Sequence, residues 1–297
     1  MGRSQTITPA LVAAATTVLP RSGLTLATYL INLDRAPDRL ARMADRLGAA
    51  GVPFARIPAV DGRTLAFPRP DFSELSYKLL HGRRTIPAEV GCYLSHVACA
   101  RAFLASDADL ALIVEDDVTV EPDLLDTLGR AALQPEVWDL LRLTTMSSGR
   151  AVPVRPLGNG RSLAVALTRE KGSGAYVVNR RAAAWIAEDL VPMRLAYDIA
   201  YDLEYLRGLK AAFVMPMPAS QRNHEPSQVQ AGIRRHKLPR WRYLTVLPYR
   251  TFLELSRVLC RGLRLLQARL TRPASPPAAA PAPAREAPTS PPAPPPA

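Results

Sequence analysis

The chain has 297 residues, 48% hydrophobic and 22% charged, the composition of an ordinary globular protein with room for one large domain or two small ones. No apolar run approaches the roughly 18 residues a helix needs to span a bilayer. The net charge of +12 is unevenly placed: residues 1–233 carry 26 basic and 24 acidic side chains, whereas residues 234–272 carry 11 basic ones and the single acid Glu254, so a nucleic-acid footprint across the whole fold is not supported.

Residues 1–25 read as a poorly ordered leader, and Pro20-Arg21 stands where a signal peptide would carry small residues. Residues 26–33 read as a buried strand. Asp34 suits a helix N-cap and Pro37 a first turn, and Leu40, Met43 and Leu47 at helical spacing predict a helix over 38–48 that Gly51 stops. A second short strand over 54–60, closed by Asp61-Gly62, completes a β-α-β unit. Residues 64–86 read as loop, and Pro87 and Glu89 then open a helix that runs to residue 104. Strands follow at 110–114 and 140–143. Segments 163–167 and 175–178 read as a strand pair, 180–190 and 198–209 as helices, and 212–215 as a last strand. The repeated alternation predicts an α/β fold with a mixed or mostly parallel sheet. Residues 271–297 are dominated by Pro and Ala, cannot build a core, and read as a disordered tail. Cys92, Cys99 and Cys260 are too few and too odd for a disulfide framework and fit a reducing compartment.

The most informative stretch is Ala111-Leu-Ile-Val-Glu115-Asp116-Asp117, a buried-strand signal that runs into three adjacent carboxylates. Such a cluster repels itself unless something neutralises it, and hard divalent cations take oxygen ligands. In open α/β sheets ligands bind at the carboxyl ends of strands.

Six pieces in order resemble one family. Tyr29-Leu-Ile-Asn-Leu-Asp-Arg-Ala-Pro-Asp-Arg39 is similar to its opening strand-turn-helix, and Ala59-Val-Asp-Gly62 to its next element. Glu89-Val-Gly-Cys-Tyr-Leu-Ser-His96 resembles its "G-E-x-G-C-x-x-S-H" helix, with Ala88 where the family usually has Gly. Ile113-Val-Glu-Asp-Asp117 resembles its metal strand, Gly172-Ser-Gly-Ala-Tyr-Val-Val178 a later strand, and Pro192 with Asp198 its "P-x-D" segment at looser spacing. The family is glycosyltransferase family 25, which includes lipopolysaccharide and lipooligosaccharide galactosyltransferases of Gram-negative bacteria, and the match runs over about residues 26–230.

The resemblance implies a GT-A-like, Rossmann-type mixed sheet flanked by helices, and transfer of galactose from a UDP donor. By analogy with the Asp-x-Asp motif of GT-A enzymes, Glu115 and Asp117 are the expected ligands of Mn²⁺ or Mg²⁺, with Asp116 beside the donor. Asn32, Arg35 and Arg39 are expected at the nucleotide and its phosphates, since helix N-termini favour anions. Asp61 and Gly62 either line the uridine pocket or form a simple turn; Ser95 is placed beside the donor, and His96 is either a catalytic residue beside it or an internal hydrogen-bond post. Ser95 and His96 are adjacent and diverge on a helix, so a hydrolase triad is not indicated. An inverting transfer needs a base; the candidates are Asp198, Asp202 and Glu204, and Asp198 best matches the family. Gln221 and His224 lie where a segment would close over the donor.

Residues 234–270 have a different character. Trp241, Tyr243 and Tyr249 flank basic residues, Phe252, Leu255, Leu259 and Leu266 fall near helical spacing, and Arg250, Arg257, Arg261, Arg264 and Arg269 supply charge. This reads as a basic amphipathic helix, suited to an anionic membrane surface or packed on the body. The expected partners are therefore a nucleotide sugar, a glycan or lipid-linked glycan acceptor and an anionic membrane, with no nucleic acid. The expected location is the cytoplasm, peripheral on the inner face of the inner membrane. Two other function classes compete: a non-catalytic binding member of the family, and a Mg²⁺-dependent phosphoryl-transfer enzyme, which the lack of a P-loop disfavours.

Overall fold

The computed structural model describes residues 15–147, 149, 151–221, 236 and 238–270, the last three by backbone alone; the Pro/Ala tail and His224 lie outside these residues. In chain order the elements are β1 (Thr16–Val18), β2 (Thr25–Asn32), α1 (Pro37–Ala49), β3 (Ala55–Pro58), a short α2 (Glu74–Ser76), α3 (Pro87–Leu104), β4 (Leu110–Glu115), β5 (Thr119–Val120), α4 (Leu124–Ala132), β6 (Leu140–Arg142), β7 (Ala151–Pro156), β8 (Ser162–Ala166), β9 (Ala175–Asn179), α5 (Arg180–Glu188), α6 (Tyr197–Ala200), β10 (Ala211–Met215), β11 (Ala219–Ser220) and α7 (Tyr243–Leu270).

Nine strands form one mixed sheet in the order β1-β2-β4-β9-β6-β10-β8-β7, with β3 paired to the same edge of β2 as β1. β3, β2 and β4 are parallel, β9 runs antiparallel between β4 and β6, and β6 and β10 are again parallel. β11 and β5 form a separate two-stranded ribbon. Strand alternation sorts the core into two layers. Tyr29, Ile31, Ala111, Ile113 and Tyr176 face α3 and α5, and Leu26, Leu30, Leu112, Val114 and Val177 face α1 and α4. The result is a mixed sheet flanked by helices on both sides, as the alternation of signals predicts.

Several local expectations change. Residues 16–18 belong to the sheet rather than to a loose leader, because the backbone of β1 pairs with β2 from Thr16↔Ala27 to Val18↔Thr25 and Leu19 is buried. Segments 162–166 and 175–179 do not pair with each other: β8 lies between β10 and β7, and β9 lies between β4 and β6. The predicted helix over 198–209 is a four-residue α6 followed by a 3-10 stretch, Tyr201–Arg207, that ends at Gly208 with φ 66°. The expected loop over 64–86 contains α2 and a π-turn over Tyr77–His81.

The C-terminal segment is a helix, but two of its arginines face inward while Arg250 is exposed. Arg257 and Arg261 are 0% and 2% exposed. Together with Arg142 they enclose the equally buried Asp202 and Glu204: Arg142, Arg257 and Arg261 lie 2.8, 3.1 and 3.0 Å from Asp202, and Arg261 lies 2.8 Å from Glu204. Arg257 and Arg261 are thus spent within the body. Among the described residues no helix is long and apolar enough to cross a membrane.

Candidate active site

The sheet topology assembles the site. The carboxyl ends of the parallel strands β2 and β4 lie side by side, with Ile31 opposite Glu115. Because β9 is antiparallel to β4, its start lies at the same edge: the Glu115 N–H donates to the Gly174 carbonyl at 2.8 Å, which sets Ser173 beside the Glu115 side chain. Alternation then directs the acids. Glu115 continues the Ala111/Ile113 face towards α3, and Asp116 continues the Leu112/Val114 face towards α1.

On the α3 side the Ser173 hydroxyl donates to Glu115 Oε1 at 2.8 Å, and His96 Nε2 lies 3.4 Å from the same oxygen. His96 is buried; its Nδ1 is 3.0 Å from the Tyr176 hydroxyl, and its ring stacks on Tyr197 at 4.0 Å. The Tyr176 and Tyr197 hydroxyls are 2.7 Å apart, Tyr197 stacks on Tyr201, and Arg142 lies over the Tyr201 ring. On the α1 side, Asn32 is buried and donates to Asp116 at 2.7 Å and to the Ala36 carbonyl, while it accepts from Arg56. Arg39, on α1, lies 3.0 Å from Asp116 and 3.2 Å from Asp117. Gln221, just after β11, donates to Asp117 at 3.1 Å and lies 3.5 Å from Glu115.

These surroundings push the two outer acids apart. Burial acts to raise the Glu115 carboxyl, but the hydrogen bonds and charge of His96, with Ser173 and Arg39, hold it below the usual carboxylate range. Burial and the negative charge of Glu115 push Asp117 up to about 6, against Gln221 and Arg39. A half-buried carboxylate pair of this kind offers hard oxygen donors together with a charge conflict that a dication relieves, so the residues fit Mn²⁺ or Mg²⁺. Cys92, His96 and Glu115 also bring a thiol, an imidazole and a carboxylate within 4.8 Å of one another. Burial, then the fields of Glu115, Asp198, Glu89 and Asp117, push the Cys92 thiol well up, which keeps it protonated and a poor ligand.

The remaining candidates divide. Arg35 pairs with Asp61 at 2.5 Å, and Asp61 also accepts from the Arg63 backbone and side chain, which caps the turn at Gly62–Thr64. Gly62 packs against the start of α3, where an added Cβ would meet the Pro87 carbonyl at 2.3 Å. Ser95 is buried; its hydroxyl accepts from Val60 N–H at 2.9 Å and donates to the Gly91 carbonyl, so it fastens this loop to α3. Asp198 is half-buried, 3.9 Å from Arg169. Asp202 and Glu204 lie in the arginine cluster and are withdrawn as bases, because both are fully buried and ion-paired. Ser173 and Tyr176 lie in the family-like piece Gly172–Val178 without a role assigned to them, and Tyr197 carries no motif signal; the antiparallel placement of β9 brings the first two to the acids.

Residues 25–200, more than half of the chain, match the family model "Glycosyltransferase family 25 (LPS biosynthesis protein)". The chain belongs to glycosyltransferase family 25. A glycosyltransferase 25 family member of Aedes aegypti is 33% identical over 101 residues, 32% of this chain and 16% of that protein. Procollagen galactosyltransferase 1-A of Xenopus laevis is 30% identical over 151 residues, 46% of this chain and 24% of that protein. A probable inactive glycosyltransferase 25 family member 3 of Rattus norvegicus is 32% identical over 126 residues, 39% of this chain and 22% of that protein. The matched region therefore spans about a quarter or less of each of these family 25 relatives.

Proposed function

We propose that this chain is a metal-dependent family 25 glycosyltransferase that moves galactose from UDP-galactose to a glycan acceptor of the lipopolysaccharide or lipooligosaccharide kind, or to another surface glycan. The observation that carries this reading is the convergence of Glu115, Asp116, Asp117, Asn32 and Arg39 at the carboxyl edge of β2 and β4. The sheet, with three parallel strands, one reversed strand and two further parallel strands, supports a GT-A-like fold.

Glu115 and Asp117 would hold the dication. When bound, Mn²⁺ or Mg²⁺ supplies positive charge beside the diphosphate leaving group. Ser173 and His96 orient Glu115, Gln221 orients Asp117, and Asn32 fixes Asp116, so the acids keep one geometry as the donor arrives. Arg39 adds a guanidinium next to the developing phosphate charge. Arg35, Asp61, Gly62 and Ser95 form and brace the adjoining loop, on which the nucleoside rests in this reading. Asp198, half-buried, is the group that would take the acceptor hydroxyl's proton.

The test is UDP release from UDP-galactose with Mn²⁺ over a panel of glycan acceptors. Asp117→Asn is expected to lower turnover by at least about 100-fold, as removal of a charge-stabilising group does, with the far-UV spectrum unchanged. Full activity in chelator, or wild-type turnover by the variant, overturns the metal assignment. Donor binding without turnover on every acceptor would instead group this chain functionally with the probable inactive relative.

A further inference from the structure

Helix α7 is amphipathic in the reverse sense to its composition. Leu244, Phe252, Leu255, Leu259, Leu263 and Leu266 are 54–79% exposed. At 100° per residue the five beyond Pro248 fall within an arc of about 80°, along a line of about 21 Å. The charged residues of the same stretch, Arg250, Glu254, Arg257, Arg261 and Arg264, lie on the opposite side. Two of them are buried, and Arg264 reaches the Ala211 and Val137 carbonyls. The leucine arc itself carries no charge, with Arg250 and Glu254 exposed outside it, and it is more continuous than the scattered apolar residues of an ordinary surface.

We propose that this leucine face inserts among the lipids of an anionic membrane surface, with α7 lying in the plane of the interface. Three observations choose this occupant. Exposed Trp241 and Tyr243 stand at the start of the stripe with Arg240 and Arg242 beside them, and amphipathic aromatic rings and cations gather at the lipid headgroups. Arg240 and Arg250 are exposed and Arg242 half-buried on the same helical stretch, which attracts anionic lipid. The buried Arg257 and Arg261 hold the other face of α7 to Asp202 and Glu204, so the helix can lie on a membrane but cannot leave the body to cross one. Membrane attachment then depends on leucines and is tuned by Arg240 and Arg242; the inner arginines serve the fold. This inference stands on α7 alone and holds whether or not the chain transfers galactose.

The experiment is co-sedimentation of the full-length protein with vesicles of phosphatidylglycerol and phosphatidylethanolamine, and with phosphatidylcholine vesicles as the neutral arm. Wild type is expected to bind the anionic vesicles and to keep most of that binding at 1 M salt, where charge attraction is screened beyond about 3 Å. The triple variant Leu255→Ser, Leu259→Ser, Leu266→Ser is expected to bind at least about tenfold more weakly, with a nearly unchanged melting temperature because all three side chains are exposed. Arg240→Gln with Arg242→Gln is expected to cost only a few-fold, about 1 kcal/mol per cation near an anionic surface. Equal binding by the triple variant, or no binding by wild type, overturns the proposal. A concentration-dependent dimer that the triple variant dissolves overturns it in favour of a second copy. Vesicle binding that appears only after removal of residues 271–297 overturns it in favour of that tail as the occupant.

Discussion

Asp117 is placed in an electrostatic conflict that only a cation or a proton resolves. Its carboxyl is pushed up to about 6, first by burial and then by Glu115. A carboxyl with a higher pKa in the folded chain adds stability below its unfolded value, near 3.9, and loses that stability as pH rises through the folded value. The metal-free protein is therefore expected to lose about 1–2 kcal/mol from this group between pH 4 and pH 7. Asp117→Asn should flatten that part of the profile and be more stable than wild type at pH 7 without metal. Millimolar Mn²⁺ should recover wild type and leave the variant unchanged, since only a ligand bound to the folded state stabilises it. Thermal melts across the pH range, with and without Mn²⁺, measure both effects; parallel profiles for the two proteins would remove this role for Asp117. The three acids were legible in the sequence because their repulsion is a nearest-neighbour fact. Ser173 was not, because it reaches Glu115 across 58 residues through the pairing of β4 with β9. Ser95 illustrates the opposite outcome: it was singled out beside His96, and its hydroxyl is engaged in joining the loop at Val60 to α3.

At the scale of elements, α3 shows how context reverses a propensity. On an isolated helix Gly91→Ala would be favourable by about 1 kcal/mol. Here an added Cβ would stand 2.3 Å from the Val60 carbonyl and 2.9 Å from the Gly62 amide, both backbone atoms of the loop that carries Asp61. Gly91→Ala is therefore expected to destabilise by about 1–3 kcal/mol, the usual cost of overpacking, and chemical denaturation measures it. A stabilised variant would mean that the loop yields freely. Helix α7 shows the same dependence. Its composition reads as a cationic outer face, yet Asp202 and Glu204 draw Arg257 and Arg261 inward and leave the leucines outside. The helix itself was predictable from spacing; which side it turns to the body was not.

At the scale of the whole molecule, buried ion pairs tie α7 to the body and predict that the two unfold together. The matched region ends at residue 200, but Asp202 and Glu204 stand just beyond it and share their charge with arginines from β6 and α7. A chain cut at residue 239 leaves Glu204 buried without Arg261. Loss of one partner from a buried ion pair costs about 3–5 kcal/mol, so the shortened chain is expected to unfold at much lower denaturant than the full one. Arg261→Ala should show most of that loss in a single transition. Separate transitions for body and helix in the intact protein would contradict this unity and restore a boundary near residue 234.

The sequence by itself determined the local patterns: the strand that ends in Glu115-Asp116-Asp117, the helices α1, α3, α5 and α7, the β-α alternation and the family motifs. Each is set by residues within a few positions of one another, where periodicity and adjacent charge act directly. Only the tertiary structure decided that β9 runs antiparallel beside β4, that Glu115 meets His96 while Asp116 meets Asn32 and Arg39, and that α7 turns Arg257 and Arg261 inward. Those outcomes depend on which strand pairs with which and on where a buried charge finds its partner, and both are settled between residues far apart in the chain.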